Sequence, residues 1–151
     1  MDKQRRLTWW VALVATILLW FPIAAMVVLS LTRLIMTGSL IYNDILMVDY
    51  LIPAEIFPMV AVGALLLLWT AIRSKKMLIE VIVGSVLGLI GLLLGQAMAV
   101  WTGLAHGETE PSGWPWITVL GLIILYDLAV VFLGITGIRL ITRLRKSRGI
   151  S

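Results

Sequence analysis

The chain has 151 residues, of which 61% are hydrophobic and 13% are charged, with a net charge of +4. Soluble domains average about half apolar and about a quarter charged residues, so this composition excludes an ordinary soluble domain and indicates a membrane protein. There is no cysteine and one histidine, His106, which excludes disulfides, thiol redox chemistry, cysteine-ligated metal sites, S-palmitoylation and a haem held by two histidines of the same chain. We expect no cofactor.

Four apolar runs are long enough to cross a bilayer, since a spanning helix needs about 20 residues. They predict an all-α fold: an integral membrane four-helix bundle, up-down-up-down, forming a single transmembrane domain over residues 1–151. The first run is longer than the apolar region of a signal peptide, so we interpret it as a spanning helix. The predicted spans are about 7–34, 53–72, 77–101 and 116–140.

The connection after the first span is less polar than an ordinary loop. Over residues 41–50 its apolar side chains are mixed with acidic and amide ones. This mixture favours either a short helix on the membrane surface or a loop over the ends of the bundle. The second span is predicted to start near Pro53, because a start at Pro58 leaves too short a helix, and Pro58 is then expected to bend the helix from inside.

The third span carries glycines at spacings of four, three and four residues. Such spacings place them on one helix face and let a neighbouring helix approach closely, as in small-xxx-small membrane contacts. We therefore predict a packing face, with a lining for a ligand or lipid as the alternative. The glycines are Gly84, Gly88, Gly91 and Gly95.

The basic residues predict the orientation. Three of the twelve precede the first span, three lie between the second and third spans, and five lie at or after the end of the fourth span. Arg33 alone falls on the other side. This positive-inside pattern predicts that both termini are cytoplasmic and that the protein is multi-pass in the cell (plasma or inner) membrane. The positive charge is thus explained by topology, and we do not expect nucleic-acid binding.

Asp127 is the leading candidate for a functional residue, because it lies in the middle of the fourth apolar run beside Tyr126. An ionisable side chain at that depth is costly and marks a functional site by default. Counting from the helix ends places it near the level of Ser85 and Thr16 and about 18 Å from Arg139. Three interpretations follow: a hydrogen bond inside the bundle with a protonated carboxyl, a contact with another subunit or a substrate, or coupling to protons or cations.

Four other polar residues are secondary candidates. Glu80 is expected to anchor at the inner boundary or to pair with Arg139, Lys76 or Arg73, and Gln96 to make an interhelical hydrogen bond. Arg33 is expected to pair with Glu55 on the outer side. No spacing of acidic residues and His106 matches a metal-ligand motif, so no metal site is predicted.

No nucleophile–base pair, phosphate loop or dinucleotide fingerprint is present. The favoured hypothesis is a non-catalytic accessory, assembly or regulatory subunit of a larger membrane complex, not an enzyme. Its expected partners are the lipid bilayer and other membrane subunits or further copies of itself. The alternative is a small oligomeric proton- or cation-coupled transporter or channel that uses Asp127. An enzyme acting on lipid is the weakest hypothesis, since acid–base chemistry needs several convergent polar groups.

Overall fold

The computed structural model of the protein describes residues 3–37, 41–42, 45–46, 56–106, 110 and 112–146. In this part the protein is all-α in architecture, with four helices that are each long and apolar enough to span a membrane. A short 3-10 helix, Leu104–His106, precedes the last of them. The helices are α1 (Lys3–Thr37), α2 (Phe57–Ser74), α3 (Leu78–Trp101) and α4 (Gly113–Lys146).

The start of α2 differs from the prediction. The helix begins at Phe57, so Pro58 lies in its first turn and not in its interior. Proline is tolerated there because the first helical N–H groups have no intrahelical acceptor. The 18 residues of α2 still give about 27 Å, close to the thickness of the hydrocarbon core. Pro53 and Glu55 lie outside the described residues.

The connection between α1 and α2 contains paired strands where a short surface helix was considered. Strands β1 (Ile41–Tyr42) and β2 (Ile45–Leu46) are antiparallel, with Ile41 opposite Leu46 and Tyr42 opposite Ile45. A surface helix over 41–50 is therefore wrong for these four residues. Isoleucine and tyrosine favour extended backbone, which overrides the weak helical pattern.

Helix α4 is longer than the predicted span 116–140, because it continues to Lys146. Its last turn holds Arg143, Arg145 and Lys146. Cations near a helix C-terminus interact favourably with the partial negative charge of the last carbonyls. The basic segment that ends the fourth span is thus helical and not frayed up to that residue.

The helices do not all pack equally on their neighbours in sequence. The most extensive contact joins α3 to α4, and α1 packs on both α2 and α4, whereas α2 touches α3 and α4 only slightly. Helix α4 is therefore central, with α1 and α3 against it. The fully buried side chains at these contacts include Leu19, Leu67, Val81, Val130 and Leu140.

Glycines allow α3 to lie against the backbone of α4. All four glycines of the predicted packing face are buried. A Cβ atom on Gly84 would meet Leu133, one on Gly88 would meet Ala129, and one on Gly91 would meet the backbone at Tyr126. Residue numbers rise along α3 as they fall along α4, so the two helices are antiparallel at this contact.

Gly91 is the point of closest backbone approach, and we predict that Gly91→Ala destabilises the fold. The added Cβ would lie 2.9 Å from the Tyr126 nitrogen and 3.0 Å from the Leu122 carbonyl oxygen, and backbone atoms cannot move aside without shifting a helix. We expect the free energy of unfolding to fall by about 1–3 kcal/mol, measured by thermal unfolding of the purified protein in detergent.

Gly121→Ala is the matched control, because a Cβ at Gly121 would meet nothing within 4 Å. This variant should unfold at the wild-type temperature or slightly above, since alanine favours the helix more than glycine does. Equal losses of stability in the two variants would contradict the close-approach argument.

Candidate functional site

Asp127 lies within α4, about 21 Å along the helix from Gly113 and about 28 Å from Lys146. The residue is half-buried. Both carboxylate oxygens are buried, and neither has a hydrogen-bond partner in the part of the chain that the structure describes. A buried polar group without a partner is costly, and a buried charge without one is more costly still. Asp127 is therefore the ionisable group of the described bundle whose hydrogen-bonding needs are least satisfied.

Helix α1 approaches α4 on the side where Asp127 lies. The side chain of Thr16 packs on Gly137, and the side chain of Trp20 packs on Gly134. Gly134 is seven residues beyond Asp127, which on an α-helix is nearly the same face. Asp127 thus lies at the edge of the α1–α4 contact, about 10 Å along the helix from the Trp20 contact.

Thr16 does not reach Asp127. Its hydroxyl donates to the Ala12 carbonyl oxygen at 2.8 Å, and its side chain lies at Gly137, ten residues along α4 from Asp127. Counting from helix ends placed the two residues at one level, but α1 and α4 both extend beyond the apolar runs. This extension shifts their register by several turns.

Ser85 and Tyr126 lie at the same cavity. Neither side chain makes a hydrogen bond with Asp127. The hydroxyl oxygens of both residues are buried and have no hydrogen-bond partner among the described residues. Both residues line a cavity of about 230 Å³ between α2, α3 and α4. The cavity is also lined by Gly88 and by apolar side chains, which are Phe57, Val60, Ala61, Ala64, Leu65, Leu68, Leu89, Val130 and Leu133.

The secondary polar candidates lie apart from this centre. Glu80 is half-buried in the first turn of α3. Of its expected partners, Lys76 donates to the Arg143 carbonyl oxygen at 3.4 Å, and the Arg73 guanidinium lies 5.1 Å from the centre of the Trp69 ring. Gln96 is exposed on the surface of α3.

The ion pair predicted for the outer side falls outside the described side chains. Arg33 lies in α1, but the predicted ion pair needs Glu55, which the structure does not describe.

No group of three histidine or acidic side chains that could hold a metal ion is found among the residues described. His106 is exposed on its 3-10 helix.

Three glycines of α4 that shape its contacts were not predicted from the sequence. Gly134 and Gly137 receive Trp20 and Thr16 of α1, and Gly121 lies on an exposed face with open space around it. The recurrence of glycine in a membrane span was the available signal, as it was in α3. Gly134 and Gly137 mark where α1 contacts α4, and Gly121 marks a part of α4 that no other described residue covers.

No protein-family model, no curated protein and no solved structure matches this chain. The candidate site is thus defined by the geometry of the chain itself.

Asp127 without a partner should reduce the stability of the isolated protein, so we predict that Asp127→Leu stabilises it. Leucine removes an unsatisfied buried carboxyl and adds apolar contact, and we expect the free energy of unfolding to rise by about 1–3 kcal/mol. Asp127→Asn, which keeps a polar group of the same size, should change it by less. Both values come from thermal unfolding in neutral detergent. A larger loss for Leu than for Asn would mean that the carboxyl has a stabilising partner inside the bundle.

Proposed function

We propose that this protein is a non-catalytic subunit that assembles with other membrane-spanning chains in the cell membrane, as an accessory, assembly or regulatory component of a larger complex. The observation that carries the proposal is the carboxylate of Asp127, which is buried without a hydrogen-bond partner in the described part of its own chain. In a membrane, polar side chains commonly bond across helix interfaces. A neighbouring subunit can supply the missing donor.

The surface next to Asp127 suits a second helix. On the outer half of α4 the exposed side chains of Ile117 and Ile124 flank Gly121. Nothing in the described chain lies within 4 Å of a Cβ built at Gly121, so a partner helix could approach the backbone of α4 there, as α3 does on another face. Asp127 is about 9 Å further along α4 and about 120° around the helix from Gly121.

Access for the partner requires a movement of the Asp127 side chain, because both carboxylate oxygens are buried. Asp127 is half-buried, whereas its neighbour Leu128 is 61% exposed. We propose that rotation about the Cα–Cβ bond of Asp127 turns its carboxyl from the edge of the α1–α4 contact toward the exposed face. Such rotamer changes are common when proteins associate.

Proton or cation coupling, the alternative use of Asp127, has less support from the surroundings of this residue. Coupling requires polar groups that lead from the carboxyl to water. Thr16 lies at Gly137, the α3–α4 contact is closed by glycines against backbone, and the nearby cavity is apolar except for two hydroxyls. A partner-facing carboxyl needs none of these groups.

The proposal includes an orientation in which the spans run up-down-up-down and both termini are cytoplasmic. Alkaline phosphatase fused after Ser151, or inserted between α2 and α3 at Lys75, should be inactive, because the enzyme folds only outside the cytoplasm. A fusion in the 107–111 connection should be active. Phosphatase activity from the Ser151 fusion would contradict the orientation.

The subunit proposal predicts that an affinity-tagged copy, purified from its native membrane in mild detergent, brings down a stoichiometric membrane partner. Asp127→Asn should lower partner recovery about three- to twenty-fold, the range of one interhelical hydrogen bond in a membrane. Gly121→Leu should lower it at least as much, because its side chain blocks close approach. Ala97→Leu is the matched control, since it enlarges an exposed small residue on α3, and it should leave recovery unchanged.

Two outcomes would overturn the proposal. One is a homo-oligomer that recovers no other chain and whose proton or cation flux in reconstituted vesicles disappears in Asp127→Asn, which would establish coupling instead. The other is a partner whose recovery is insensitive to both Asp127→Asn and Gly121→Leu, which would place the interface elsewhere.

A further inference from the structure

One exposed face of α4 changes from apolar to basic along its length. In its inner half the apolar residues Leu128, Phe132 and Ile135 are 61%, 41% and 40% exposed. The same face then continues with polar residues that line a surface depression of about 390 Å³: Arg139, Thr142, Arg143 and Lys146. We call this face, from Leu128 to Lys146, the α4 stripe.

The spacing of the α4 stripe is that of one helix face. Leu128, Phe132, Ile135, Arg139, Thr142 and Lys146 follow one another at intervals of three and four residues, which keeps them within a narrow band of the surface. The distance from Leu128 to Arg139 is eleven residues, or about 16 Å. Half of the hydrocarbon core of a bilayer is about 15 Å thick. The apolar part of the stripe therefore matches the length of one leaflet's acyl chains.

The basic end of the α4 stripe lies where the helix bundle meets the headgroup region. Lys76, in the turn between α2 and α3, donates to the Arg143 carbonyl oxygen, which places that turn beside the end of α4. Trp69, one to two turns before the same turn, is 40% exposed and lies under Arg73. Exposed tryptophans and arginines at one level are typical of the membrane–water boundary.

The charge at this end favours an anion. Arg139, Arg143 and Lys146 contribute three full positive charges, against about half a negative charge from the C-terminal carbonyls of the helix. Glu80 is the acidic residue of α3 nearest this end, and α3 packs on α4 at Ala129, at Leu133 and against one edge of Phe132. Arg139, Arg143 and Lys146 are exposed. The basic side chains of the stripe are thus available to a ligand.

We propose that the α4 stripe is a binding site for an anionic phospholipid of the inner leaflet. The phosphate binds at Arg139 and Arg143, with Lys146 at the rim and the Thr142 hydroxyl beside them, and one acyl chain lies along Ile135, Phe132 and Leu128. The lipid is favoured over a free phosphate ion because the basic depression continues directly into an exposed apolar surface of acyl-chain length. The basic end of this site lies more than about 25 Å along α4 from Gly121, and the site shares Leu128 alone with the partner surface proposed above.

The test measures lipid affinity on the full-length protein in neutral detergent, by native mass spectrometry with dioleoyl phosphatidylglycerol and dioleoyl phosphatidylcholine. Phosphatidylglycerol should bind more tightly than phosphatidylcholine. A basic side chain near a lipid headgroup contributes about a five-fold preference, so Arg139→Gln should weaken phosphatidylglycerol binding about five-fold and Arg139→Gln/Arg143→Gln about twenty-fold or more. Both variants should weaken phosphatidylcholine binding less than phosphatidylglycerol binding, because the choline ammonium offsets the charge of its phosphate.

Arg145→Gln is the matched control. Arg145 is exposed and belongs to the same last turn, but it lies about 100° around the helix from Lys146 and outside the depression. It removes the same charge from the same end of the protein and should leave phosphatidylglycerol binding within two-fold of wild type. All these side chains are exposed, so the variants should fold normally.

Three results would overturn the proposal. Equal binding of the two lipids would leave only apolar contact. An equal effect of Arg139→Gln and Arg145→Gln would mean that the lipid responds to overall charge and not to a site. Displacement of phosphatidylglycerol by inorganic phosphate at millimolar concentration, with glycerol phosphate equally effective, would assign the depression to free phosphate instead of lipid.

Discussion

Helix α3 lies against the backbone of α4, and this contact determines where the other two helices can pack. Membrane helices gain little from burying apolar surface against each other, because lipid is equally apolar, so contact distance and van der Waals packing decide which helices associate. Gly91 against the backbone at Tyr126 allows α3 to bind α4, which follows it in sequence, more extensively than α2, which precedes it. As a result α2 is held mainly by α1, and a cavity is left between α2, α3 and α4.

The positions of the helices could be predicted from hydropathy, and the glycine spacing of α3 indicated which of its faces packs. Which helix packs on that face could not be predicted, because glycines allow a short distance between helices but do not specify which helix approaches. The beginning of α2 was misplaced because two prolines, Pro53 and Pro58, are both compatible with a first turn, and only the three-dimensional structure distinguishes them. The strands at Ile41 and Ile45 depend on pairing with each other, which a helical pattern count does not include.

The candidate site was predictable in its identity but not in its surroundings. A single carboxylate in an apolar run identifies Asp127 without any structure. Its neighbours depend on helix register, and α1 and α4 extend beyond their apolar runs by amounts that hydropathy does not reveal. Thr16 was therefore expected beside Asp127, whereas it packs on Gly137. Gly121 could not be recognised as open, because openness depends on what the other helices do not cover.

The length of α4 has a mechanical consequence. Its apolar part, from Trp116 to Ile138, rises about 33 Å, slightly more than the roughly 30 Å of hydrocarbon it must cross. A helix longer than the hydrocarbon core accommodates the difference by tilting, by kinking or by thickening the bilayer around it. A tilt of α4 would carry α3 with it, because the glycine contact holds the two backbones together. A change in the hydrophobic thickness of the membrane would then act on α3 and α4 as a pair.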